Sequence, residues 1–144
     1  MFVTKILDQK NTKGVLTIDP SASVADAVAE LAARRIGALV VSSDGRHAEG
    51  ILSERDIVRE MGKSGGAVMS RTVGQLMTSE LQTCAPGDRS EPVLQRMTEG
   101  RFRHMPVVED GLLIGLISLG DVVKARLSEV SMEKDALQAM IGGT

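Results

Sequence analysis

Apolar and polar positions alternate along this chain in two rhythms, one helical and one extended, and the whole succession runs twice. A short extended piece, Leu16 to Ile18, precedes a turn at Pro20, and Gln82 to Cys84 precedes Pro86. Val24, Ala27, Val28 and Leu31 then recur at helical spacing, as do Val93, Leu94 and Met97, so each set predicts an amphipathic helix. Ser23 and Asp26 have capping-box spacing for the first helix. Pro92 must lie in the first turn of the second, where its missing N–H costs little. Two apolar strands follow in each pass: Ala38–Val41 and Gly50–Leu52 around Ser43-Asp44-Gly45, then Pro106–Val108 and Leu113–Ile117 around Asp110-Gly111. Asp-Gly between apolar runs is a strong hairpin signal. A last helix starts at Ser53, with Ile57, Val58 and Met61 inward, or at Ser118, with Val122, Val123 and Leu127 inward. The order is β-α-β-β-α, twice.

The repeat extends to the letter. VLTIDPSASVADAVAELA at 15–32 parallels LQTCAPGDRSEPVLQRM at 81–97, and IGALVV at 36–41 parallels RHMPVV at 103–108. GILSERD at 50–56 parallels GLISLGD at 115–121, and the lead-ins VTKILDQ at 3–9 and VGQLMTS at 73–79 match loosely. One half of about 60 residues would be marginally stable alone. The expected architecture is therefore α+β, two tandem repeats packed as a pseudo-twofold pair with ligand clefts between the halves. Residues 1–61 form the first repeat with its lead-in, 62–71 (GKSGGAVMSR) the linker, 72–127 the second repeat, and 128–144 a helical extension.

Composition narrows the function. The 144 residues are 42% hydrophobic and 25% charged, as in a globular domain, and the formal charge of −2 argues against bulk attraction to nucleic acid or membrane. Phe2 and Phe102 are the only aromatics, so a planar ligand must lie against aliphatic side chains and backbone. A nucleic-acid role for the GRFRH patch is the weakest reading, because base-stacking rings are missing. One cysteine excludes an internal disulfide, no apolar run approaches membrane-spanning length, and the N-terminus lacks a signal-peptide stretch; the cytoplasm is the expected location. Cys84 aligns with Ile18 and reads as a small buried residue. Two histidines and one cysteine at unrelated spacings argue against zinc, and no phosphate-binding glycine loop is present, so enzymatic activity is not expected.

The two Ser-x-x-Asp motifs, Ser53 with Asp56 and Ser118 with Asp121, carry the chemistry. Each is a helix cap worth about 0.5–2 kcal/mol. Each also places a hydroxyl and a carboxylate on a loop leaving a sheet, where α/β proteins tend to bind ligands. A free helix N-terminus suits phosphate, but a fixed carboxylate there repels it and suits a vicinal diol instead, as on a ribose. Phosphates would then lie near cations, and Arg101, Arg103 and His104 precede one strand while Arg55 lies inside the first motif. Gly37-Ala38 stands where the second half has His104-Met105, and Gly120 where the first motif has Arg55, so the two clefts are expected to be unequal. The main site is expected to combine Asp121 with the RFRH segment.

IGALVV…GILSERD and RHMPVV…GLISLGD, with VGQLMT ahead of the latter, resemble a cystathionine-β-synthase (CBS) domain pair, or Bateman module. The resemblance covers residues 3–127, and without a further domain the chain is similar to small bacterial proteins made of CBS domains only. It implies an adenosyl ligand (AMP, ADP, ATP, NAD or S-adenosylmethionine) and no catalytic cofactor. It implies that Ser53, Asp56, Ser118 and Asp121 contact ribose and nearby phosphate. The base would lie near Thr17 and Thr83 and beside Ile36, Gly37 and Ala38 or Arg103, His104, Met105 and Pro106, with Arg55, Arg103 and His104 reaching phosphates. It also implies dimerisation into a disc of four repeats. The leading function is a regulatory adenine-nucleotide sensor read by a separate, unknown protein. The alternative is an interaction scaffold whose motifs are only helix caps. Beyond the second repeat, Val130, Leu137 and Ile141 continue the helical period, with Lys134 interrupting, and predict a helix that meets a partner in a homodimer.

Overall fold

The computed structural model describes residues 1–10 and 14–142. The first half contains β1 (Thr17–Ile18), α2 (Val24–Arg34), β2 (Ala38–Val41), β3 (Gly50–Ser53) and α3 (Glu54–Ser64), after a lead-in helix α1 (Val3–Asp8). The second contains α5 (Ser90–Gly100), β4 (His104–Glu109), β5 (Leu112–Ser118) and α6 (Leu119–Gly142), after a lead-in helix α4 (Val73–Leu76). β1 pairs parallel with β2, which pairs antiparallel with β3; β4 and β5 form an antiparallel ladder, and a parallel bridge joins Cys84 to Val107. Among the described residues the second extended piece is thus a single bridge, where Gln82 to Cys84 had been expected. Asp110 and Gly111 both adopt positive φ, as the tight hairpin between β4 and β5 requires.

Each half has its own apolar core, and each core borrows the other half's lead-in. Val3 and Ile6 of α1 pack with Cys84, Val93, Met97, Met105, Ile117 and Val122. Val73 and Leu76 of α4 pack with Val24, Leu31, Leu39, Leu52 and Ile57. The hydrogen bonds show the same exchange in duplicate. Val3 N donates to Asp88 O (2.8 Å) and Thr4 N to Pro86 O (3.0 Å); correspondingly Val73 N donates to Ala22 O (2.8 Å) and Gly74 N to Pro20 O (2.8 Å). A lead-in therefore belongs, by packing, to the repeat that does not follow it. The segment 62–71 is more than a tether. α3 runs on to Ser64, and the 3-10 turn Gly65–Ser70 buries Val68 in the first core.

Two expected buried faces are narrower than the helical period implies. In α3 only Ile57 of the apolar trio is buried, while Val58 and Met61 are exposed; in α6 Val122 and Ala125 are buried, while Val123 and Leu127 are exposed. From Val130 onward every described residue of α6 is exposed. One repeat covers about one turn of each helix face, and the rest of the stripe faces outward. No described helix is long and apolar enough to cross a membrane.

Cys84 is buried, and burial pushes its thiol up to about 12. With so little thiolate near neutral pH it is a poor nucleophile. A disulfide reagent at pH 8 is expected to leave the native protein unlabelled and to label one thiol per chain in denaturant; fast labelling of native protein would contradict this placement.

Candidate ligand clefts between the repeats

The two Ser-x-x-Asp motifs sit where the halves meet. The pre-strand segments of β2 and β4 touch, since a Cβ on Gly37 would lie 3.4 Å from His104 Cε1. Each segment also closes the helix start of its own repeat: Glu54 N donates to Gly37 O (3.0 Å) and Leu119 N to Arg103 O (2.7 Å). On either side of this contact lies a cleft, and Gly37 and His104 line both.

The larger cleft, about 860 Å³, is lined by Ser118, Asp121, Leu116 and His104 from the second half and by Leu16, Arg34, Arg35, Ile36, Gly37 and Ala38 from the first. Lys10 completes it. The smaller cleft, about 250 Å³, is lined by Ser53, Glu54, Arg55, Asp56 and Arg59 together with Arg101, Phe102, Arg103 and His104. This divides the expected pairing: His104 of the RFRH segment shares the larger cleft with Asp121, which also faces the Arg34–Ala38 segment, while Arg101 and Arg103 line the smaller cleft with Asp56. The reason is the pseudo-twofold contact at Gly37 and His104, which lays each pre-strand segment across the motif of the opposite repeat.

The motifs are helix caps in both halves, but they differ in what they leave over. Asp56 is buried, and its Oδ2 accepts from Ser53 N (2.9 Å) and Ser53 Oγ (3.0 Å). Its Oδ1 accepts from Arg59 Nη2 (2.8 Å), so both oxygens are engaged. Asp121 Oδ2 accepts from Ser118 N (2.8 Å) and from Lys10 Nζ (2.8 Å), while Ser118 Oγ accepts from Asp121 N (3.1 Å). Asp121 Oδ1 makes no hydrogen bond among the described residues, and Asp121 lines the larger cleft. Burial alone would raise this carboxyl; the Lys10 and Ser118 hydrogen bonds outweigh it and hold the group below the usual carboxylate range. It is therefore ionised at neutral pH.

Lys10 was not legible as a site residue. It also donates to Leu116 O (2.8 Å), pinned beside Asp121 because α1 docks on the second half. Nothing in the local sequence announces that exchange. His104 also departs from expectation: burial first, then the nearby Lys10 charge, holds its imidazole below the ordinary histidine value. It presents a neutral ring to both clefts, and among the described residues Lys10, Arg34 and Arg35 are the cations of the larger one. Arg34 Nε is tied to Glu30 (2.8 Å), whereas Arg35 has no ion-pair partner among the described residues.

Four expected contact residues line neither cleft. Met105 points into the second core, because alternation along β4 turns it inward where His104 turns out. Pro106 is buried, and its carbonyl accepts from Cys84 N (3.0 Å). Its missing N–H falls on that same side, just where the single parallel bridge stops. Thr17 pairs with Val40 inside the first sheet, and Leu16 reaches the larger cleft instead. Thr83 offers its carbonyl to Arg96 Nη2 (2.8 Å). Among the described residues no cluster of His, Cys, Asp and Glu could hold a metal ion.

The fold is thus a tandem pair of β-α-β-β-α repeats with clefts at their junction. The chain belongs to the CBS domain family, which matches residues 7–63 and 73–128. CBS domain pairs are regulatory modules. A mitochondrial CBS domain-containing protein of Arabidopsis thaliana is 39% identical over 125 residues, spanning 84% of this chain and 61% of that protein. A second Arabidopsis CBS domain-containing protein is 33% identical over 85% of this chain but only 23% of its own length, so the chain spans less than two thirds of either relative. A CBS-domain containing protein of Agrobacterium tumefaciens superposes with TM-score 0.83 at 40% identity, covering 88% of this chain and 99% of the other. A CBS domain pair solved with 5′-methylthioadenosine and S-adenosylmethionine has the same fold, with TM-score 0.78 at 20% identity over 90% of this chain and 98% of that one.

Proposed function

We propose that the larger cleft binds a phosphate-bearing adenosine nucleotide and that the pair senses it. The observation that carries this reading is the open Oδ1 of Asp121, an ionised acceptor facing a volume of about 860 Å³. A ribose diol would donate to it, and the base would lie against Leu16 and the Ile36–Ala38 backbone. Phosphates would reach Lys10, Arg34 and Arg35. The fold relative with two adenosyl ligands supports the ligand class. Charge refines the choice within AMP, ADP, ATP, NAD and S-adenosylmethionine. Among the described residues, three cations against one carboxylate favour the phosphate-bearing members and oppose a sulfonium. Bound nucleotide biases the angle between the repeats, and a separate protein reads that angle.

The exposed apolar stripe of α6, with Val58 and Met61 of α3, supports a homodimer as the sensing unit. A scaffold reading, with motifs serving only as caps, is favoured in the first half by the fully engaged Asp56. Melting the protein with each of the five ligands separates the two readings. Ligand at about a hundred times its Kd adds about 2.7 kcal/mol of stability. AMP, ADP, ATP or NAD is expected to raise Tm, and S-adenosylmethionine to do so less. A flat response to all five would eliminate the sensor.

A further inference from the structure

We infer that Lys10 is a latch through which a ligand in the larger cleft holds the end of lead-in helix α1 on the second repeat. The inference rests on the nucleotide reading of that cleft and names the element that answers to occupancy. The two lead-ins dock alike at first. Each presses a long apolar side chain on the motif glycine of the repeat it crosses to: a Cβ on Gly50 would lie 2.4 Å from Met77 Sδ, and one on Gly115 would lie 2.5 Å from Leu7 Cδ2. Beyond that contact they part. After α4, Thr78 zips onto the edge of β3, with Ile51 N donating to Thr78 O and Thr78 N to Ile51 O, both at 2.9 Å. Leu116 stands where the first repeat has Ile51, and no described residue pairs with its edge in this way. The first lead-in stays coiled past the equivalent point, since Gln9 N donates to Lys5 O (3.2 Å) and Lys10 N to Leu7 O (3.1 Å). Its tie to the strand is a side chain instead: Lys10 Nζ donates to Leu116 O and to Asp121 Oδ2, each at 2.8 Å.

Both acceptors belong to residues of the larger cleft, which Lys10, Leu116 and Asp121 line together. In the smaller cleft the same edge is closed by Ile51 and Thr78. The difference matters chemically. A backbone ladder saturates its own donors and acceptors, whereas an ammonium group carries three donors, and here two are used. The third has no acceptor among the described residues and suits a phosphate oxygen. A bound phosphate therefore adds an acceptor to Lys10 without taking it from Asp121 Oδ2, and Oδ1 stays open for the ribose. The start of α1 is fixed away from the cleft, by Val3 N to Asp88 O and Thr4 N to Pro86 O. Occupancy thus acts on the last turn of the helix.

Amide hydrogen exchange over residues 3–10 reads the latch, with residues 73–78 as the internal control. In the free protein Lys10→Gln should speed exchange over 3–10 about tenfold, the factor one charge-assisted hydrogen bond supplies, and leave 73–78 unchanged. Unchanged exchange there overturns the latch whatever the ligand. ATP, at concentrations that calorimetry shows to saturate each variant, should slow exchange over 3–10 in the wild type by a further factor of about ten. Lys10→Arg, which keeps the charge, should retain most of that protection. Lys10→Gln should lose it while residues 36–38 are still protected. Adenosine, which has no phosphate, should protect 36–38 and leave 3–10 as in the free protein. The inference alone is overturned if ATP binds and residues 3–10 do not respond, or if they respond equally in Lys10→Gln. If the wild type binds neither ATP nor adenosine, the nucleotide reading itself fails and takes the coupling with it.

Discussion

Asp121→Ala is expected to cut the nucleotide-dependent rise in Tm to about half or less while leaving a folded protein. The carboxylate is the only acid lining the larger cleft, and its Oδ1 is the only oxygen of either motif aspartate left without an acceptor role among the described residues. A hydrogen bond to a charged group contributes about 1.5–3 kcal/mol, so losing a diol held by this carboxylate weakens binding roughly tenfold to a hundredfold. The fold should survive. The substitution removes one cap and the Lys10 ion pair, both partly exposed, at a cost of about 0.5–2 kcal/mol. Asp56→Ala provides the contrast. It leaves Arg59 without its partner and lowers stability, but the nucleotide response stays. A response undiminished in Asp121→Ala and lost in Asp56→Ala would put the nucleoside in the smaller cleft and overturn the reading.

The second large effect concerns α6. Leu137→Lys is expected to convert a dimer into a monomer at micromolar concentration. Val123, Leu127, Val130, Lys134 and Leu137 recur at steps of four and three residues, a coiled-coil seam with one lysine on it. The apolar members are 38–66% exposed in the single chain. A projecting segment of some fifteen residues is marginal as an isolated helix, so it needs a partner to cover the stripe. The lysine selects the orientation. A parallel pair would set Lys134 against the partner's Lys134. An antiparallel pair centred on Met132 sets Leu127 against the partner's Leu137 and Val130 against the partner's Lys134, with Glu133 beside that lysine. Burying six Leu and Val side chains, three from each chain, yields on the order of 10 kcal/mol before the cost of association is subtracted.

Cross-linking gives the orientation directly, because Cys84 is buried and its thiol is held protonated. Leu127→Cys combined with Leu137→Cys should form an interchain disulfide, whereas Leu137→Cys alone should not. Efficient cross-linking by the single variant would mean a parallel pair. A monomer at every concentration by light scattering would eliminate the interface.

The doubled β-α-β-β-α order, the hairpin at Asp110-Gly111 and both Ser-x-x-Asp caps were legible in the sequence, and each for a local reason. Side-chain period and turn chemistry act over a few residues, so they survive without knowledge of the partner surface. Gly37-Ala38 against His104-Met105 does not account for the unequal clefts, because Gly37 and His104 line both and Met105 lines neither. What the sequence could not carry was which repeat each segment would face. Lys10 reaches Asp121 only because α1 crosses to the second core, and the RFRH arginines face Asp56 only because Gly37 and His104 meet at the pseudo-twofold contact. The same holds for charge. His104 is a cation on paper and a neutral ring in its buried place. The two aspartates share one motif, but the second oxygen of Asp56 is taken by Arg59 one turn along the same helix, a local pair, whereas Asp121 meets Lys10 only through tertiary packing. Local sequence determined the caps and the Arg59 pair; long-range packing decided which segment of the opposite repeat each cap faces.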